Sequence, residues 1–363
     1  GAKPIPLEES EVKNIIDKVE REKSKPRTEV PFKKNDTVKV FDPGVCFFEA
    51  DQKGIFNFLN TQDLSFHTGV GVLDTLGIRP APKELYVVVG NSGKGKSWFV
   101  MGMAKTALLQ RKKVLYITME MSADTVCMRF NQSFFGVARH DRYRNRHTLF
   151  EKTPEGFLSS MNFSFLEADK IKTLRDDGIE SILRNKLNQM LFKQLIVKEF
   201  PTSQLTMSML RAYLNNLESF YNFIPDLVVI DYPDLMSLDA KHTREDTSRI
   251  FKELRGIGVE RNMAIVAPSQ TNRLGVSAAL LTREHLAEDF SKVMIADNLI
   301  TYNQTNEEEK LGLARIYVDK GRNERSGDIV LITHNYSIGQ FCLDSVLLTS
   351  DKEYTSIKQR LVP

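Results

Sequence analysis

The chain has 363 residues, which fits one large domain with extensions or two smaller ones. Its 41% hydrophobic and 27% charged content is that of a folded, water-soluble protein, and no apolar run nears the roughly 20 residues needed to span a bilayer. Lysine plus arginine number 50 against 47 acids, and the net charge of +3 excludes a protein that coats nucleic acid through bulk charge alone.

Gly1-Ala2-Lys3-Pro4 hold no apolar signal core, so a cytoplasmic protein is expected. The missing initiator methionine points to an expression scar or a fragment of a longer protein. Cys46, Cys127 and Cys342 lie far apart and read as reduced thiols, not as a zinc site or disulfide framework. Residues 1–60 form a charge-rich arm with prolines at 4, 6, 26, 31 and 43. Within it Val12, Ile15, Ile16 and Val19 make a thin apolar stripe. That pattern suits a helix from Glu8 to Lys23 that docks on its own or a neighbouring subunit, or equally an unfolded segment.

The texture changes near Leu64, and residues 61–363 read as one α/β domain. Strands are predicted at Leu85–Val89, Val114–Thr118, Gln194–Lys198, Leu227–Ile230, Ala264–Ala267, Ala314–Val318 and Ile329–Ile332. Helices are predicted at Ser97–Leu109 and Ala123–Phe135. Residues 138–193 read as a helical extension on the core, with a helix at Ile179–Leu191. The arginine-rich run from Arg139 to Arg146 suits a solvated or interface-facing segment at least as well as a DNA site. Alternating strands and helices imply crossover units and a mostly parallel central sheet, with the last strands close enough for an antiparallel edge.

The run Gly90-Asn91-Ser92-Gly93-Lys94-Gly95-Lys96-Ser97 fits the phosphate-loop pattern at every fixed position. Such a loop curls its N–H groups around phosphate oxygens, which needs glycine where a side chain would block the turn. Lys96 is expected to reach the β and γ phosphates of ATP, and Ser97 to place its hydroxyl on Mg²⁺. The predicted nucleotide-contacting run extends to Trp98. Asp231 ends an apolar strand and is expected on the metal side of the crevice, with Asp234 a second candidate. Glu120, just after the second strand, could deprotonate the attacking water. Gln270 ends another strand, and its amide could sense the γ phosphate.

Together these motifs resemble the ATPase domain of DnaB-type replicative helicases, and phage replicative helicases most of all. Thr68–Asp74 and Glu84–Gly90 are similar to the family's entry segment, and Glu120-Met-Ser to its "LEMS" motif. Ser269-Gln270-Thr-Asn-Arg273 resembles "SQ-x-NR", and Asp319-Lys320-Gly-Arg322-Asn323 resembles "K-x-R-N". The resemblance covers about Ser65 to Leu343 and implies a RecA-like fold. It implies that Glu120 is the catalytic base, Asp231 the magnesium-side acid and Gln270 the sensor. Lys320 and Arg322 would reach the nucleotide site of a neighbouring subunit.

The implied protein is a ring, a hexamer by family, that moves on single-stranded DNA and opens forks. A primase or loader is the implied partner, and the bacterial host cytoplasm the implied location for a phage protein. DNA-contacting cations are expected on two loops, Lys241 and Arg244 on one and Arg273 on the other. Two alternatives stay open, a filament-forming recombinase and a helicase-like ATP-binding scaffold or loader.

Overall fold

Side chains along Leu85–Gly90 (β1) alternate between two apolar cores. Tyr86 and Val88 enter one, and Leu85, Val87 and Val89 the other. A strand buried on both faces reads as an unbroken apolar run, because its side chains point alternately to opposite sides. In a computed structural model the described residues are 64–140, 144, 146–165, 171–179, 181–183, 185, 193–237, 246–271, 280–282, 294–321 and 326–360. The predicted arm of residues 1–60 lies outside them.

The elements after β1 follow in order. Lys96–Leu109 (α1) leads to Val114–Thr118 (β2), and Ala123–Phe135 (α2) to the hairpin Arg146–Lys152 (β3) and Leu158–Phe165 (β4). Leu195–Glu199 (β5), Met207–Tyr221 (α3) and Leu227–Asp231 (β6) come next, then Asp246–Arg261 (α4) and Ala264–Gln270 (β7). Asn298–Asn303 (β8), Asn306–Leu311 (α5), Leu313–Lys320 (β9), Ile329–Asn335 (β10), Gln340–Leu347 (β11) and Asp351–Gln359 (α6) complete the domain. Nine strands form one sheet in the order β11-β10-β9-β8-β1-β7-β6-β2-β5. From β8 to β5 neighbouring strands are parallel, and from β8 to β11 they are antiparallel. The predicted α/β class, with its mostly parallel sheet and antiparallel edge, is what the structure shows.

Two strands of this sheet escape the sequence reading. Asn298–Asn303 is half polar, yet all six residues are buried, because Asn298 and Asn303 bond to Glu84 and to the Leu281 backbone. Gln340–Leu347 mixes apolar and polar residues and forms the edge strand of the sheet. The expected helical extension needs correction. The principal described element between 138 and 193 is the β3–β4 hairpin, registered Arg146 opposite Phe165. Short helical pieces occur only around 179–185 among the described residues. Leu158 and Met161 of the hairpin pack on Leu313, Leu331, Val346, Tyr354 and Ile357, so this insert covers the antiparallel side of the sheet. Part of the arginine run is used within the chain. Arg144 donates to the Glu309 carbonyl at 2.6 Å, and the Arg146 guanidinium sits 4.2 Å from the Phe163 ring centre.

Candidate functional site

The carboxyl ends of β1, β7, β6 and β2 open on one crevice, where ligands bind in open α/β sheets. The phosphate loop leaves β1 there. A Cβ on Gly90 would lie 2.6 Å from the Tyr302 carbonyl oxygen, and one on Gly95 would lie 2.5 Å from the Tyr336 hydroxyl. Gly95 also has φ +113°, a conformation that side chains rarely adopt. Both glycines are therefore demanded by close approach as well as by the curl of the loop.

The crevice holds a cavity of about 380 Å³ lined by Ser92, Gly93, Gly95, Lys96, Ser97 and Trp98, with Glu120, Asp231 and Gln270 across from them. It gathers residues that the sequence spreads over 180 positions into one site. Lys96 is 8% exposed and its ammonium donates to the carbonyls of Gly90 and Asn91 at 2.7 and 2.8 Å. Burial lowers its pKa to about 8, against the pull of Asp231, Glu120 and Asp234. Asp231 is 1% exposed, and the Tyr116 hydroxyl donates to it at 2.9 Å. Burial raises its pKa, while hydrogen bonds from Tyr116 and Ser97 and the charge of Lys96 pull the other way.

Glu120 is exposed to this cavity at the end of a braced turn. The Thr118 hydroxyl donates to the Met121 carbonyl at 2.8 Å, and the Met119 N–H donates to the Asp231 carbonyl at 2.9 Å, tying the ends of β2 and β6 together. Gln270 donates through Nε2 to the Tyr232 hydroxyl at 2.7 Å. Its neighbour Thr271 donates to Asn91 Oδ1 at 2.7 Å, which joins the end of β7 to the phosphate loop. Lys94 does not line the cavity and bonds Asn306 and Glu309 at 2.8 and 3.1 Å. Asp234 accepts from the Ser269 hydroxyl at 2.8 Å and braces β7, and it does not line the cavity.

Lys320 also lies away from the cavity. It pairs with Leu299 in register, whereas Gly90 of the loop pairs with Tyr302. Three residues at about 3.3 Å each set it roughly 10 Å back along the sheet. Its ammonium donates to the Ala296 carbonyl at 2.6 Å. Arg322, Lys241, Arg244 and Arg273 lie outside the described residues.

Sequence reasoning missed Arg129, Tyr232, Gln304, Glu309 and Tyr336, which complete the cavity wall. Arg129 comes from the middle of α2, and Tyr336 from the turn between β10 and β11. Neither carries a motif, and only the folding of the antiparallel edge against α1 brings Tyr336 to the loop.

A phosphate loop framed by acids at the ends of β2 and β6 and an amide at the end of β7 has a counterpart among known proteins. A family model described as the DnaB-like helicase C terminal domain matches residues 65–341. The chain belongs to this family. A DnaB-like replicative helicase of enterobacteria phage T4 is 22% identical over 249 residues, which are 67% of this chain. The chain spans only 46% of that phage protein's length. Two solved structures share the fold. One is a DnaB-like replicative helicase studied with its primase interactions (TM-score 0.60, 16% identity, 80% of this chain and 67% of the other). The other is an ATPase domain (TM-score 0.60, 15% identity, 83% of this chain and 97% of the other). Membership of this family implies that the domain binds a nucleotide.

The buried Lys96 should make nucleotide binding pH-dependent. Phosphate oxygens favour the ammonium, so a bound nucleotide raises its pKa. Binding near pH 8 should therefore take up a fraction of a proton, and less at pH 7. Affinity weakens as pH rises through 8. Calorimetric titration in buffers of different ionisation enthalpy measures the uptake, and Lys96→Met should abolish it.

Proposed function

We propose that this chain is the motor domain of a ring-forming replicative helicase that hydrolyses ATP to move on single-stranded DNA. The observation that carries the reading is the convergence of Lys96, Ser97, Glu120, Asp231 and Gln270 on one cavity. Lys96 and the loop N–H groups bind the phosphates, and Glu120 takes the proton of the attacking water. Gln270 is tied to Tyr232, and Thr271 to Asn91, so a change at the γ phosphate is felt by the chain that leaves β7.

Magnesium fits the donors present. The Ser97 hydroxyl and the buried Asp231 carboxylate are hard oxygen ligands on one side of the loop, and Mg²⁺ is commonly held by one or two carboxylates plus substrate phosphates. Among the described residues no group of three or more acidic, histidine or cysteine side chains could hold a metal without the nucleotide. When bound, the metal supplies charge neutralisation to the phosphates.

The position of Lys320 supports assembly. It sits roughly 10 Å back along the sheet from its own phosphate loop, which leaves it free of its own nucleotide. Arg322 follows it in the same segment, and a guanidinium offered across an interface stabilises the charge of the transition state. Several copies of Lys241, Arg244 and Arg273 around a ring would give the DNA path its charge despite a net +3 per chain. No helix among the described residues is long and apolar enough to cross a membrane. The phage relative and the primase interactions of the structural neighbour support a primase as partner and the cytoplasm of a bacterial host as location.

Strand displacement from a forked duplex with ATP and Mg²⁺ tests the reading, with Lys96→Ala as the blank. Unwinding that the blank lacks is the expected result. DNA-stimulated hydrolysis without unwinding would favour the filament-forming recombinase. Assembly has its own test. Lys96→Ala and Arg322→Ala are each expected to hydrolyse no ATP alone, and mixing them should restore a fraction of the activity at interfaces that pair an intact loop with an intact arginine. Mixtures as inactive as their parts would refute a site shared between subunits.

A further inference from the structure

Trp98 is the only tryptophan of the chain and directly follows Ser97. Its indole carries two neighbours. The Arg129 guanidinium carbon lies 4.9 Å from the ring centre, and the Tyr336 ring stacks on it at 5.5 Å and 4°. Tyr336 is itself fixed. It stacks on His334 at 4.0 Å, and its hydroxyl is 2.5 Å from that of Tyr302. His334 Nε2 lies 2.6 Å from the Gln304 amide nitrogen, which also donates to the Leu313 carbonyl. The indole therefore rests on a wall anchored in β8 and β10.

Arg129 is in an unusual position. It lines the nucleotide cavity together with Glu120 and Asp231, and both carboxylates act on it electrostatically. Yet among the described residues no hydrogen bond or ion pair holds its guanidinium, which faces the Trp98 ring. A guanidinium facing an aromatic ring is attracted by the ring's quadrupole while its five N–H donors stay in plane and available. Released from the ring, an arginine in an acid-lined cavity forms a bidentate pair with a carboxylate, the strongest partner in reach. If that carboxylate were Glu120, the adjacent cation would favour its charged form and make it a weaker base.

We propose that Trp98 is a positioning residue, holding Arg129 by its indole face so that the guanidinium fork addresses the terminal phosphate and stays off Glu120. The proposal rests on the nucleotide-hydrolysis reading above. A leucine keeps an apolar side chain at this position but offers the cation no aromatic face.

The test is a double-mutant cycle on ATP hydrolysis by the full chain with single-stranded DNA, using Trp98→Leu, Trp98→Phe and Arg129→Gln. Cation–π contacts of this kind convert to about three- to thirtyfold in rate. Trp98→Leu should lower kcat by about tenfold with KM for ATP less affected, and Trp98→Phe should recover most of the loss. In the Arg129→Gln background Trp98→Leu should cost less than about twofold. Equal costs in both backgrounds, or a phenylalanine as poor as the leucine, would overturn the proposal. A second readout does not depend on turnover. Mg²⁺·ATP should change the emission of Trp98 as the phosphate engages the guanidinium held on the ring, and Arg129→Gln should lose that change while still binding nucleotide by calorimetry. The same emission change in Arg129→Gln, or none in the wild type with ATP bound, refutes it. Failure of the wild-type chain to bind ATP at all would instead strike the nucleotide reading.

Discussion

Glu120→Gln should bind ATP almost as the parent does and hydrolyse almost none. The substitution keeps size and hydrogen-bonding shape but removes the carboxylate that can take a proton. General-base contributions run to about 10²–10⁴ in rate, and a loss of that order in kcat is expected. The dissociation constant for ATP should stay within about threefold, since the loop and Lys96 make the phosphate contacts in the ground state. The turn that presents position 120 is held by Thr118, Met119 and Met121, none of which the change disturbs. Single-turnover hydrolysis beside calorimetric binding separates the two quantities. A variant that retains full turnover would assign the base elsewhere, with Asp231 the next carboxylate in the cavity.

The largest effect on stability is expected at Arg315, outside the nucleotide cavity. Arg315 and Glu308 are 3% and 0% exposed, with Nε 2.7 Å from Oε1, although that N–H does not point along the contact. Tyr354 of α6 donates to the same carboxylate at 2.8 Å, and Arg315 reaches Asp351 of α6 at 2.9 Å. Glu308 also accepts from the Thr305 N–H at 2.7 Å and closes the cap of α5. Arg315→Met leaves a buried carboxylate without its cation, a loss of about 3–5 kcal/mol. At about 2–4 °C per kcal/mol for a large domain, the melting temperature should fall by roughly 6–20 °C. Adding Glu308→Leu removes the stranded charge and should return part of the loss, less the cap, because a buried ion pair gains little over apolar residues of similar volume. Thermal melts of the single and double variants decide it, and a double variant weaker than Arg315→Met alone would contradict the account. The effect could reach the nucleotide site, since Glu309 and Asn306 of the same short helix hold Lys94 of the phosphate loop.

Local chemistry was enough to read the phosphate loop, the strands that bracket it and the acids that end them. A glycine-lined turn, an unbroken apolar run and a carboxylate at a strand end each carry their meaning within a few residues. The parallel core was legible for the same reason, because fully buried strands separated by amphipathic helices admit few other arrangements. The tertiary structure alone decided the rest. Asn298–Asn303 is a central strand because distant partners satisfy its amides, which no window of sequence reveals. The β3–β4 hairpin covers the antiparallel side of the sheet because its apolar face meets residues from β9 to α6. Arg129, Gln304 and Tyr336 enter the cavity only because the sheet order sets β8 and β10 on one side of the loop and α2 on the other. Lys320 belongs to a different edge from its own phosphate loop because β9 runs antiparallel to β8, a fact of pairing that the motif containing it does not encode.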